Sequence, residues 1–266
     1  MPETLAVETR DGIATVTMQA LTMPPRFFTE LGETFRTLAR DADLRAVVLR
    51  AAGKHFSYGL DLAAAAGELG EGFSGGLAAT RMRLLERIRA LQADIGAVAA
   101  CPVPVIAAVH GWCIGGGVDL IAACDIRLAT ADARFSVRET KIAIVADLGS
   151  LQRLPPLIGQ AHTRELAFTG KDIGAARAKE IGLVSDVHDS REALDAAAHA
   201  LAREIAANAP LTVRGVKQVL DYGAARGVED GLAYVAAWNA AFLASEDLGE
   251  AMAAFMQKRA PEFRGK

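Results

Sequence analysis

Residues 105–120 restrict what this chain can become more than any other stretch. Val105-Ile106-Ala107-Ala108-Val109 is a short, continuous apolar run with β-branched residues, the pattern of a strand buried on both faces. It breaks at His110-Gly111. Gly115-Gly116-Gly117 then lead into Val118-Asp119-Leu120-Ile121-Ala122-Ala123, which reads as a helix. Three consecutive glycines permit backbone angles that other residues avoid and let a ligand come close to the main chain. At a helix start they present unpaired N–H groups and the positive end of the helix dipole. Such a place suits a developing negative charge. A glycine turn packed against a neighbouring strand would read the same way, so this stretch alone leaves both readings open.

The surrounding chain supplies an α/β setting. Residues 5–9 and 13–18 alternate apolar and polar across Asp11-Gly12, a hairpin signal. Pro24-Pro25 precedes a helix expected from Glu30 to Arg40, and 46–50 reads as a strand. Gly53-Lys54-His55-Phe56-Ser57-Tyr58-Gly59-Leu60-Asp61-Leu62 is a glycine-punctuated loop entering a helix, and a long helix is expected over 77–99. Further strands are expected at 125–129, 134–137 and 183–187. Residues 139–154 alternate between loop and helix, helices follow around 162–169 and 175–181, and everything from Arg191 onward reads as helical. At 266 residues the chain is near the upper size for one hydrophobic core. A core over 1–207 with a helical region over 208–266 is the expected division.

Several chemistries fail on spacing. Gly72-Phe73-Ser74-Gly75-Gly76 matches a nucleophile elbow in letters, but no buried strand precedes it. The five histidines lack the short-spaced pairing of a metal motif, so no metal is expected. Leu120 stands where a dinucleotide fingerprint needs a third glycine. A net charge of −3 gives no broad footprint for nucleic acid or an anionic membrane. Cys101, Cys113 and Cys124 form no disulfide framework. With no basic-then-apolar leader and no peroxisomal address in Arg264-Gly265-Lys266, the cytoplasm is the expected compartment.

Carboxylates and backbone donors remain. Asp119 lies on the first turn after the glycines, and Glu139 and Asp147 flank the apolar run Ile142-Ala143-Ile144-Val145-Ala146. Acids in such surroundings tend toward raised pKa values, as proton transfer near neutrality requires. Asp147 could equally cap the helix after Leu148-Gly149.

In these motifs the chain resembles the crotonase superfamily of enoyl-CoA hydratases and isomerases over essentially its whole length. The resemblance rests on 53–62, on 101–111 with Gly115-Gly116-Gly117, and on Gln152-Arg153-Leu154-Pro155. Gly182-Leu183-Val184, Ala209-Pro210 and the closing segment 254–263 extend it. It implies a spiral of repeated β-β-α units, an acyl-CoA substrate, no cofactor beyond the coenzyme A of that substrate, and trimers or dimers of trimers. By position it implies an oxyanion hole from the N–H groups of Tyr58 and Gly116. Tyr58, Gly59, Leu60, Asp61 and Leu62 would flank the CoA chain, and Phe255, Lys258 and Phe263 would serve its nucleotide end. Tyr58 departs from the family's usual alanine. Asp119, Glu139 and Asp147 together look like the acids of Δ3,5-Δ2,4-dienoyl-CoA isomerases, with Glu139 the base at C2, Asp147 the acid at C6 and Asp119 a polar neighbour. A 2-enoyl-CoA hydratase, or a CoA-binding scaffold without chemistry, are the alternatives.

Overall fold

A computed structural model of the chain describes residues 3–65, 78–224 and 226–266. The stretch 67–76, with its elbow-like Gly72-Phe73-Ser74-Gly75-Gly76, therefore lies outside the described residues. β1 (Leu5–Arg10) and β2 (Ile13–Met18) form the expected antiparallel hairpin, with Leu5 opposite Met18. Asp11 and Gly12 both take positive φ, 52° and 74°, as a tight hairpin turn requires. α1 (Pro25–Leu38) begins at its proline, earlier than the Glu30 start expected. Proline's fixed φ suits the first helical position, where its missing N–H leaves nothing unsatisfied.

In chain order there follow β3 (Ala46–Ala51), α2 (Ala78–Ala99), β4 (Val105–Val109), β5 (Trp112–Ile114), α3 (Gly116–Ala122), β6 (Ile126–Thr130) and β7 (Arg134–Ser136). After a 3-10 turn at Glu139–Ile142 come α4 (Ser150–Thr169), β8 (Ile173–Gly174), α5 (Ala175–Glu180), β9 (Asp186–His188) and α6 (Arg191–Ala206). The helical remainder is α7 (Pro210–Ala224), α8 (Val228–Phe242) and α9 (Glu246–Gln257).

One six-stranded sheet has the order β1-β2-β3-β4-β6-β9, parallel from β2 onward, and a small sheet has the order β5-β7-β8. β4 is buried throughout, and its period of two divides it between two apolar clusters. Val105, Ala107 and Val109 face α1 and α2 through Phe28, Phe35 and Ile95. Ile106 and Ala108 face α6 through Leu194, Ala198 and Ala202. The continuous apolar run is thus the centre of a sheet covered on both sides.

Two strand expectations shift. The segment after His110-Gly111 makes a short strand, β5, before the glycines. The strand expected at 183–187 begins at Asp186, because Leu183 turns inward and its carbonyl accepts a hydrogen bond from buried Arg127 Nε at 2.7 Å. α4 is two helical stretches that meet at a kink at Gly159 (φ 78°, ψ 159°); the first starts inside the segment 139–154 expected to alternate between loop and helix, and the second contains the helix expected around 162–169.

α7 is fastened to the sheet by buried Lys217. Its Nζ donates to Val103 O at 3.2 Å and to Asp125 Oδ2 at 2.7 Å, and that carboxylate oxygen also accepts Val105 N–H at 2.7 Å. A buried ammonium persists only with such partners.

Candidate active site

The two glycine-rich loops lie side by side. Phe56 and Ser57 donate N–H groups to the carbonyls of His110 and Trp112 at 2.9 Å, and Ile114 N–H returns to Ser57 O at 3.0 Å. His110 is held by its Nε2 against Gly53 O at 2.8 Å, and burial lowers its pKa. This pairing brings Gly59 onto Gly116. A Cβ on Gly59 would lie 2.8 Å from Ile114 O and 3.2 Å from Gly116 N, and Gly59 has φ +82°. Only glycine meets both demands.

Accounting for each backbone N–H in the first loop moves the expected donor. Ser57 donates to Trp112 O, and Tyr58 donates to Leu21 O at 2.7 Å. Gly59 donates to Ser57 Oγ at 3.0 Å and Asp61 to Met23 O at 3.0 Å. Leu60 N–H finds no acceptor among the described residues. The Tyr58 N–H expected in the oxyanion hole is therefore already committed. Its neighbour two residues on is the one left open, because Leu60 bridges Met23 on its other edge. In the second loop Gly115 donates to Ser136 O at 3.0 Å, whereas Gly116 and Gly117 have no protein acceptor among the described residues. A Cβ on Gly116 would come 3.8 Å from Leu60 N, so of these open donors Leu60 and Gly116 are the pair that meet across the loops. The missing acceptor, rather than motif position, is what marks Leu60.

Side-chain contacts fix the shape of the rest of the first loop. Asp61 accepts from Thr22 Oγ1 at 3.1 Å and from Ala64 N–H at 3.0 Å, which caps a short helical turn and holds its carboxyl below the ordinary range. Tyr58 and Leu62 are half-exposed, and the Tyr58 ring meets His55 edge-on at 5.2 Å.

The three acids come together. Asp119, on the first turn of α3, is 1% exposed, and its Oδ1 accepts Ser150 N–H at 2.6 Å. Burial pushes its pKa up to about 6, with the nearby Asp147 adding to the rise. Glu139 begins the 3-10 turn and packs beside Gly115, where a Cβ would lie 3.1 Å from Oε1. Its Oε2 is buried without a partner. Burial, and then the charges of Asp119 and Asp147, push Glu139 up to about 7. Asp147 is partly buried, and burial raises its pKa too. Its carbonyl accepts from Gln92 Nε2 of α2 at 2.7 Å. Asp147 does not cap α4. The cap position is Gly149, and the carboxylate that receives the helix's first N–H comes from Asp119, 31 residues earlier.

Phe255, Lys258 and Phe263 stand apart. Phe255 is 85% exposed on α9, Lys258 ends that helix in a left-handed conformation, and Phe263 lines a cavity of about 900 Å³ against α7 and α8. No hydrogen bond, ion pair or ring contact joins them to 58–62 among the described residues.

Comparison with known proteins agrees with this arrangement. The family model for enoyl-CoA hydratase/isomerase matches residues 8–266. The chain is 45% identical over 240 residues to the peroxisomal Δ(3,5)-Δ(2,4)-dienoyl-CoA isomerase of Arabidopsis thaliana, covering 89% of this chain and 86% of that one. It is 41% identical to the mitochondrial enzyme of the same name from Dictyostelium discoideum, covering 91% and 83%. The crystal structure of an enoyl-CoA hydratase from Bacillus anthracis superposes with a TM-score of 0.89 at 30% identity, covering 99% and 100%. The peroxisomal and mitochondrial names of these relatives overturn the cytoplasmic expectation, which rested on the absence of recognisable address signals. With the family model spanning nearly the whole sequence and the fold shared from end to end, this chain belongs to the enoyl-CoA hydratase/isomerase family.

Proposed function

We propose that this protein isomerises 3,5-dienoyl-CoA to 2,4-dienoyl-CoA. The observation that carries the reading is the third acid, Asp147, close enough to Glu139 and Asp119 for its charge to raise both, with Glu139 beside Gly115 and so next to the open Gly116 N–H. The Leu60 and Gly116 N–H groups bind the thioester oxygen, the second backed by its helix dipole. Glu139 takes the proton from C2. The electron pair left behind spreads from the thioester oxygen along the chain to C6. Asp147 delivers a proton to C6, and the double bonds settle at C2=C3 and C4=C5. A base must be ionised while an acid holds its proton, and like charges in one dry site favour that split. The relatives named dienoyl-CoA isomerase support the same reading.

A second copy of the chain completes this picture. α8 is apolar on most of its circumference, yet none of its side chains is buried, with Val228 at 80% and Leu232 at 62% exposure. A helix of that character is stable against a partner surface. The region 208–266 would then assemble trimers or pairs of trimers, and Phe255, Lys258 and Phe263 would reach the nucleotide end of CoA on a neighbour. Coenzyme A enters as part of the substrate.

The test offers 3,5-dienoyl-CoA and 2-enoyl-CoA in parallel and follows the absorbance of the conjugated product. Rapid isomerisation with little hydration is expected, and Asp147→Asn should lower kcat by at least about a hundredfold while the fold holds. Hydration alone would make the protein a hydratase. Binding of acyl-CoA with no turnover would make it a scaffold.

A further inference from the structure

Asp119 is a near-fully buried acid with no place in the two proton transfers. Its Oδ1 receives the N–H of Ser150, the first residue of α4, at 2.6 Å. The Ser150 hydroxyl lies beside the same carboxylate. The same aspartate lies one turn along α3 from Gly116, whose N–H is open. Ser150 lies three residues past Asp147, and the intervening turn passes through Gly149 at φ 126°, which brings no capping side chain of its own. Gln92 holds the Asp147 carbonyl from one side, and Arg153 Nη1 holds the Leu148 carbonyl at 3.3 Å. The Asp119 bond is the third tether of this turn and the one that refers it to the oxyanion donors. An anionic acceptor at a helix start is also favoured by the dipole there.

We propose that Asp119 is a positioning residue for the proton donor: by holding Ser150 N–H it sets where α4 begins relative to Gly116 N–H, and so fixes the distance from the oxyanion donors to Asp147. This rests on the isomerase reading above. Asp119 faces Asp147 and Glu139, with Arg153 opposing them in sign. The Cys113 thiol on β5 is held neutral by burial, well above its usual range. Removing the Asp119 charge therefore eases ionisation of Glu139.

The pair Asp119→Asn and Asp119→Ala tests this in the intact protein. Asparagine retains an oxygen that can accept Ser150 N–H and loses the charge. It should keep kcat within about tenfold of wild type and move the acid limb of kcat/KM to lower pH, a shift that a merely structural role would not produce. Alanine should lower kcat by about a hundredfold or more, with KM changed far less. Asparagine as inactive as alanine, alanine as active as wild type, or an unmoved acid limb in Asp119→Asn would each overturn the proposal. Amide hydrogen exchange at Ser150 separates this from failure of the isomerase reading, since it needs no turnover. The Ser150 N–H should exchange about tenfold or more faster in Asp119→Ala and stay protected in Asp119→Asn. Equal protection in both variants would overturn the tether even if wild type proves to act on another acyl-CoA.

Discussion

At Glu139, burial shapes the chemistry more than any single contact does. A carboxyl ordinarily near 4.5 is pushed up to about 7 by desolvation first and by the Asp119 and Asp147 charges next. That is roughly 3 kcal/mol of preference for the protonated form, and the orphaned Oε2 shows where it arises. A base at C2 works only when ionised. Activity should therefore fall as pH drops through about 7, by about tenfold per unit well below it. A pH profile of kcat/KM checks this, and Glu139→Gln should abolish the limb along with most of the activity. The identities of the three acids and the apolar run between two of them were legible in the sequence. The partner of Asp119 was not, because a bond between residues 119 and 150 depends on how α3 and α4 cross.

Among the elements, the parallel pairing of 56–59 with 110–116 creates the donor pair. It leaves Leu60 N–H without an acceptor in the first loop, beside Gly116, whose N–H is also open. Gly59 is the point where the first loop presses on the second, with positive φ and a neighbouring carbonyl 2.8 Å from where a Cβ would sit. Gly59→Ala should cost about 1–2 kcal/mol from the left-handed backbone alone. By displacing Ile114 O and Gly116 N it should also cut kcat by about a hundredfold. Thermal unfolding and steady-state kinetics on one preparation would measure both effects. A stable, fully active Gly59→Ala would remove the paired-loop account. The motif spacing pointed to this loop but placed the donor at Tyr58. The loop's own letters do not reveal that Leu21 O takes the Tyr58 N–H, since that acceptor belongs to the segment before α1.

For the whole molecule, apolar side chains are buried in the sheet region and exposed on the last helices. The sheet and its flanking helices α1 and α6 bury their apolar side chains in two dense clusters. α8 and the end of α9 do not, with Met252 at 64% and Phe255 at 85% exposure. Sedimentation at micromolar concentration should show three or six chains together. A charge on the outer face, Leu232→Glu, should shift that distribution toward single chains and raise KM through loss of the neighbour's contribution to the CoA site. A wild type that sediments as one chain would sink the assembly reading.

The sequence by itself determined the buried central strand, the hairpin, the glycine-rich helix start and the chemical character of the site. Each of these follows from local properties: a period of two, a residue without Cβ, or a carboxylate among aliphatic side chains. Tertiary structure alone decided which backbone donors stay open, which acid meets Ser150 N–H and which apolar side chains of the last helices stay exposed. Those outcomes depend on which groups far apart in the chain satisfy one another. A hydrogen-bond donor becomes available to a substrate only when the rest of the fold declines to use it.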